Sequence, residues 1–235
     1  ASRESTLQPY AVGPDRDPPR PLRAPLGLFG FGLTTALLQT INTGMVENQA
    51  HTFVWAYGFF FGGLAQLVAG ILEYQRRNTF GTTAFTALGC FWMGLAFYGT
   101  LETAGVAEAS AQGLQVVLAL WGIFCVAMWL CTFNTSVALS TLLASTALLF
   151  FFLSGGQSNA VLLKFAGGWG LLVSGLAFYT GLATLMEETY GRSILPVIPL
   201  GAPKKLHVGA SSASKPDGTT LAQTEDLEIS IEHKY

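Results

Sequence analysis

With 51% of its 235 residues hydrophobic, 11% charged and a mean hydropathy of +0.45, the chain carries about half the charge of a soluble domain. Its net charge of −2 offers no basic surface for nucleic acid and no pull on an acidic partner. What remains is a polytopic membrane protein, all-α by the length of its apolar runs.

Residues 1–23 are rich in Pro and Arg and show no apolar periodicity, which predicts a disordered N-terminal tail. The first span runs from Ala24 to Asn42 without a charge, with Pro25 at the first helical position, where its missing N–H is harmless. At helical spacing Gly27, Phe31, Thr35, Gln39 and Asn42 fall on one broad face, a polar stripe that a helix lining a water-accessible path would need. Five more apolar runs follow: Phe53–Tyr74, Thr82–Leu101, Leu114–Phe133, Val137–Leu153 and Ala160–Met186. Each is near the roughly 20 residues that cross a bilayer. Residues 197–235 turn to Pro, Ser, Lys and acidic groups, predicting a second disordered tail. The predicted organisation is therefore an N-terminal tail (1–23), a six-helix transmembrane domain (24–196) and a C-terminal tail (197–235).

Orientation follows from Lys and Arg. Arg3, Arg16, Arg20 and Arg23 precede span one, Arg76 and Arg77 lie between spans two and three, and Arg192, Lys204 and Lys205 follow span six. The alternate loops (43–52, 102–113 and 154–159) contain no Lys or Arg. Both termini are accordingly expected in the cytoplasm, which makes the Asn134-Thr135-Ser136 sequon a coincidence. Lys164, near the outer end of span six, is expected to snorkel to the interface.

Small residues mark helix contacts. Gly58, Gly62 and Gly70 recur with Gln66 at four-residue spacing in span two, and Ala166, Gly170 and Ser174 do so in span six. Cys90, Cys125 and Cys131 sit inside or at the edge of apolar runs and are odd in number, which favours packing over a disulfide framework.

Enzyme chemistry finds little support. All aspartates (Asp15, Asp17, Asp217 and Asp226) lie in the tails, and His51, His207 and His233 lie outside the spans. This leaves no intramembrane acid pair, histidine base or metal cluster, and no catalytic residue, metal or cofactor is expected. A mild polar set does occupy the spans: Thr34, Thr35, Gln39 and Asn42; Gln66 and Glu73; Thr83 and Thr86; Ser140, Thr141, Ser145 and Thr146. Single hydroxyls are expected to bond to their own helix one turn back. Gln66, near mid-membrane, needs partners or water, and Glu73 is close enough to Arg76 and Arg77 for an ion pair. With no Lys, Arg or His in mid-span, a polyvalent anion lacks a counter-charge. A small monocarboxylate or a neutral solute fits.

Ala24-Pro25-Leu26-Gly27-Leu28, Gly30-Phe31-Gly32 and Thr34-Thr35 resemble the opening signature of the acetate uptake transporter family, the bacterial succinate–acetate permeases (SatP, YaaH) and their fungal and algal relatives. The resemblance continues through Phe61–Gln66, Leu72-Glu73-Tyr74, Asn78–Gly81, Thr83-Ala84-Phe85, Gly89, Phe91-Trp92, Leu120–Phe124, Gly191-Arg192 and Leu195-Pro196. It implies a six-helix protomer, a homohexamer with one pore per protomer, and transport of acetate and succinate or other short carboxylates, by proton symport or channel-like permeation. The implied membrane is the plasma membrane, with an organellar membrane as the other choice. The family's span-one phenylalanine carries over to Phe31. Its span-three tyrosine falls on Leu88 and its span-five leucine on Thr146, two departures. The implied substrate pathway comprises Phe31, Thr35, Gln39, Gln66, Thr86, Leu88 and Thr146, with an apolar neck at Phe31, Leu88 and Thr146. Two other readings fit the same spans: a non-transporting sensor or scaffold worked by its tails, and a channel for small neutral solutes.

Overall fold

A computed structural model describes residues 25–200; the calls made for Ala24 and for the tails at 1–23 and 201–235 lie outside them. Six helical rods follow one another: α1 (Pro25–Asn42), α2 (Asn48–Gln75), α3 (Thr79–Thr103), α4 (Ala111–Leu130), α5 (Val137–Gly156) and α6 (Ala160–Tyr190). Each predicted span falls on one rod; most rods run a few residues longer at their ends, while α4 stops at Leu130, three residues before the predicted end at Phe133. Caps explain several boundaries. The side chains of Asn78, Ser110, Ser136 and Asn159 accept the backbone N–H of Gly81, Gly113, Leu139 and Val161, at the starts of α3 to α6. At the other end of α6, Gly191 takes the left-handed conformation (φ 67°) that stops a helix.

Five of the rods, α2 to α6, are long and apolar enough to cross a membrane. α1 falls short because Pro25, Gln39 and Asn42 dilute its 18 residues. Its position accounts for that composition: α1 packs along α6 on one side and α2 on the other, so its polar groups face protein rather than lipid. α3 closes on α2, α5 on α6, and α4 on α5. The order around the bundle is thus α3–α2–α1–α6–α5–α4, and consecutive rods run antiparallel. The end carrying Pro25 and Tyr190 is here the near end; the 43–47, 104–110 and 157–159 connections mark the far end.

Close approach at these seams depends on missing side chains. A Cβ on Gly62 would lie 2.7 Å from the Thr34 hydroxyl, and one on Gly170 would strike Gln39. Side chains then bond across the gaps. The Ser174 hydroxyl donates to the Gly32 carbonyl (2.7 Å, α6 to α1), the Trp169 indole N–H to Ser145 (2.9 Å, α6 to α5) and the Ser154 hydroxyl to Gln115 (2.8 Å, α5 to α4). The middle of α2, Gly58–Ala65, is wound as a π-helix, with α-helical turns on both sides.

At the near end, residues 197–200 lie along the α4–α5 corner. The N–H of Val137 donates to Ile198 (2.8 Å) and that of Leu200 to Thr135 (3.0 Å). Glu73, 1% exposed, is held by the Asn78 side-chain amide, and Arg76 reaches Glu188 on α6 at 3.5 Å. Cys90, Cys125 and Cys131 are free thiols.

Candidate functional site: a closed axial path

The first observation is a repeat along the helix faces. On α1, Leu28, Phe31, Thr35, Leu38 and Asn42 recur every three or four residues and form one stripe. On α3 the corresponding stripe is Ala84, Leu88, Phe91 and Leu95, and on α5 it is Leu139, Leu142, Thr146, Phe150 and Leu153. These stripes meet in three successive layers.

Nearest the far end is an open vestibule of about 400 Å³, walled by Leu38, Asn42, Leu95, Leu118 and Leu153 and rimmed by Asn48, His51, Gln157 and Lys164. Below it three aromatic rings close together from three rods. The centroid of Phe91 (α3) lies 5.1 Å from that of Trp121 (α4) and 5.0 Å from that of Phe150 (α5), both edge to face. Deeper still is a small cavity of about 30 Å³, near the share of one water molecule in liquid. It is lined by Leu28, Phe31, Gln66, Leu88, Leu143 and Thr146 among others, and its wall is almost wholly apolar.

Four residues singled out in the sequence therefore converge here from four rods: Phe31, Gln66, Leu88 and Thr146. Leu28, from the signature motif, joins them; Pro25, Leu26 and Gly27 form the first turn of α1, with Gly27 packed on the ring of Phe85. Thr35 lies one turn above Phe31 on the same stripe, 2% exposed, and its hydroxyl has no partner in the protein. Gln39 lies elsewhere: it is wedged against Gly170 between α1 and α6 and accepts the amide N–H of Asn42 at 2.9 Å. Thr86 is also off the cavity. Its hydroxyl donates to the Thr82 carbonyl (2.7 Å), and its methyl packs where a Cβ on Gly70 would fall. Nor does Lys164 behave as an interface anchor alone, since it borders the vestibule.

The polar chemistry of the cavity is concentrated in Gln66. It is 0% exposed, and neither its amide nitrogen nor its oxygen has a hydrogen-bond partner in the protein. Leaving such a group unpaired costs about 1–3 kcal/mol, so its retention calls for a reason other than packing. The hydroxyl of Thr146, which lines the cavity, is spent on the Leu142 carbonyl one turn back (2.7 Å). Gln66 thus borders the cavity with an unspent amide held behind methyl and ring surfaces. Once uncovered, that amide can donate to a carboxylate or bind a single water, while the rings and methyls repel a hydrated ion.

Sequence reading missed the aromatic layer. Phe91 and Trp121 were visible only as motif residues, and Phe150 gave no signal beyond apolarity. Spacing of three or four residues from the predicted neck (Leu88 to Phe91, Thr146 to Phe150) was the available clue.

Comparison with known proteins gives a consistent result. Residues 6–202 match the model of the GPR1/FUN34/yaaH family. The chain is 40% identical over 177 residues to the succinate-acetate/proton symporter SatP of Escherichia coli, covering 74% of this chain and 93% of that protein. Acetate permease A of Emericella nidulans is 35% identical over 192 residues, covering 74% of this chain and 64% of that one. Among solved structures, the bacterial acetate channel SatP aligns with a TM-score of 0.71 at 39% identity, over 76% of this chain and 99% of that chain.

Proposed function

Because the chain belongs to the GPR1/FUN34/yaaH family, we propose that it carries acetate, and with it succinate and other short carboxylates, across a membrane along a path inside each protomer. It is an integral membrane transport protein and not an enzyme, in keeping with the symporter, permease and channel it resembles. The observation that carries the reading is the convergence of Phe31, Leu88, Thr146 and Gln66 on one buried cavity in line with the far-end vestibule.

The mechanism follows from size and solvation. A carboxylate enters the vestibule with its water and meets the rings of Phe91, Trp121 and Phe150. The cavity below holds the volume of about one water, too little for acetate, so the neck is shut in this conformation. Passage requires the Phe31 ring to turn aside. As the anion sheds water, the Thr35 hydroxyl and the Gln66 amide replace part of that shell, and the apolar ring dewets behind it. Leu88 and Thr146, which line the neck with Phe31, are smaller than the tyrosine and leucine of the family pattern, which suits an anion of the width of acetate. Gln39 and Thr86 serve the path by setting the spacing of α1 against α6 and of α2 against α3.

The near end, with Arg76, Arg77 and Arg192, faces the cytoplasm in this account, in the plasma membrane. The outward apolar face of α4 (Val116, Val117, Leu120 and Ile123), a rod that packs mainly on α5, supplies contact surface for a homohexamer.

Uptake of [14C]acetate into proteoliposomes, with and without a pH gradient, tests the reading. Saturable acetate flux supports it, and acceleration by the gradient selects symport over channel-like permeation. Swelling in glycerol without acetate flux would replace it with a neutral-solute channel, and silence in both with a sensor or scaffold.

A further inference from the structure

Lys164 is a cation in an unusual place. It lies one turn into α6, within a helix apolar enough to span a membrane, and it borders the vestibule. Its neighbours divide by direction. Ala160 and Leu163 border the vestibule with it, whereas Val161 and Phe165 point outward and are 79% and 54% exposed. Across the mouth stand Asn42, Asn48 and His51, whose ring Nδ1 is 2.8 Å from the Asn48 carbonyl. The far-end connections 43–47, 104–110 and 157–159 contain no other Lys or Arg. The acidic side chains of this end, Glu47, Glu102 and Glu108, stay off the vestibule wall, and among the described residues Lys164 forms no ion pair.

An unpaired positive charge at the mouth of an anion path, with every nearby acid kept off the wall, acts on the anion. We infer that Lys164 is a specificity-determining residue that gathers carboxylates into the far-end vestibule and favours them in proportion to their charge. The inference rests on the transport reading above. In water, a unit charge at contact distance concentrates a monovalent anion about two- to fivefold. The attraction scales with ligand charge, so a dianion such as succinate gains the square of that factor, and a neutral solute gains nothing. Salt shortens the reach of the charge to about 8 Å at physiological ionic strength. The rings and the neck, not Lys164, set the limiting rate.

The test is carboxylate uptake by proteoliposomes holding the full chain or its K164Q and K164R variants, with salt varied equally on both sides. K164Q should raise the half-saturating acetate concentration about two- to fivefold at low salt and that of succinate about four- to twenty-five-fold. The plateau rate should stay unchanged and K164R should restore both values; at high salt the wild type should approach K164Q. Should K164Q not assemble, the wild type decides alone: its half-saturation must rise with salt, and a flat response overturns the inference. Equal half-saturation in wild type and K164Q at every salt, with acetate flux intact, overturns the role of Lys164 and leaves transport standing. No carboxylate flux in any protein overturns both.

Discussion

A glutamine with no hydrogen-bonding partner is the most informative side chain in this protein. Gln66 is fully buried and neither of its amide atoms is paired within the protein, whereas Thr34 and Thr146 satisfy their hydroxyls on their own helices. A residue kept for packing would be better as leucine. Gln66→Leu should therefore stabilise the fold by about 1–3 kcal/mol, seen as a higher melting midpoint in detergent, while lowering acetate flux about tenfold. A variant that is less stable and transports normally would remove Gln66 from the path. Much of this was legible in the sequence, since a carboxamide among glycines in an apolar run has few structural uses. Gln39 was not separable from it on that basis. Both are amides on apolar helices, and only the packing of Gly170 against Gln39 shows that the latter is taken up by the α1–α6 seam.

At the scale of the helix, the seams decide where the path can open. Gly62 admits Thr34 so closely that α1 and α2 share one groove, and the π-helical stretch Gly58–Ala65 ends at Gln66. Such a stretch carries an extra residue per turn and is often found at functional sites. Nothing in Gly-Phe-Phe-Phe-Gly-Gly announces it beyond weak helix propensity, because the winding is fixed by neighbours and not by local preference. Span positions, by contrast, were plain, since apolar length acts locally; the caps at Asn78, Ser110 and Asn159, which set the exact starts, were there to be read and went unread. Gly62→Val should push α1 from α2, lower stability by about 1–3 kcal/mol and cut acetate flux with it. Gly175→Ala, where a Cβ meets nothing within 4 Å, should leave thermal midpoint and flux unchanged. Equal behaviour of the two variants would show that the seam does not hold the neck.

Among the described residues, the helical rods surround a path that is almost wholly apolar where it is narrow and edged by polar groups where it is wide. That distribution lets a membrane protein without a mid-span cation handle an anion: attraction acts at the mouth, where water is present, and the neck discriminates by width. The account stands on the cavity bounded by Phe31, Leu88 and Thr146 being the point every transported ion must cross. The most direct measurement compares initial [14C]acetate uptake in proteoliposomes for wild type, Phe31→Ala and Thr146→Trp, matched for folded protein by size-exclusion profile. Widening the neck with Phe31→Ala should raise flux or admit longer carboxylates, and filling it with Thr146→Trp should abolish flux. If both variants take up acetate at the wild-type rate, the ion does not pass this cavity and the path proposed for this bundle is wrong.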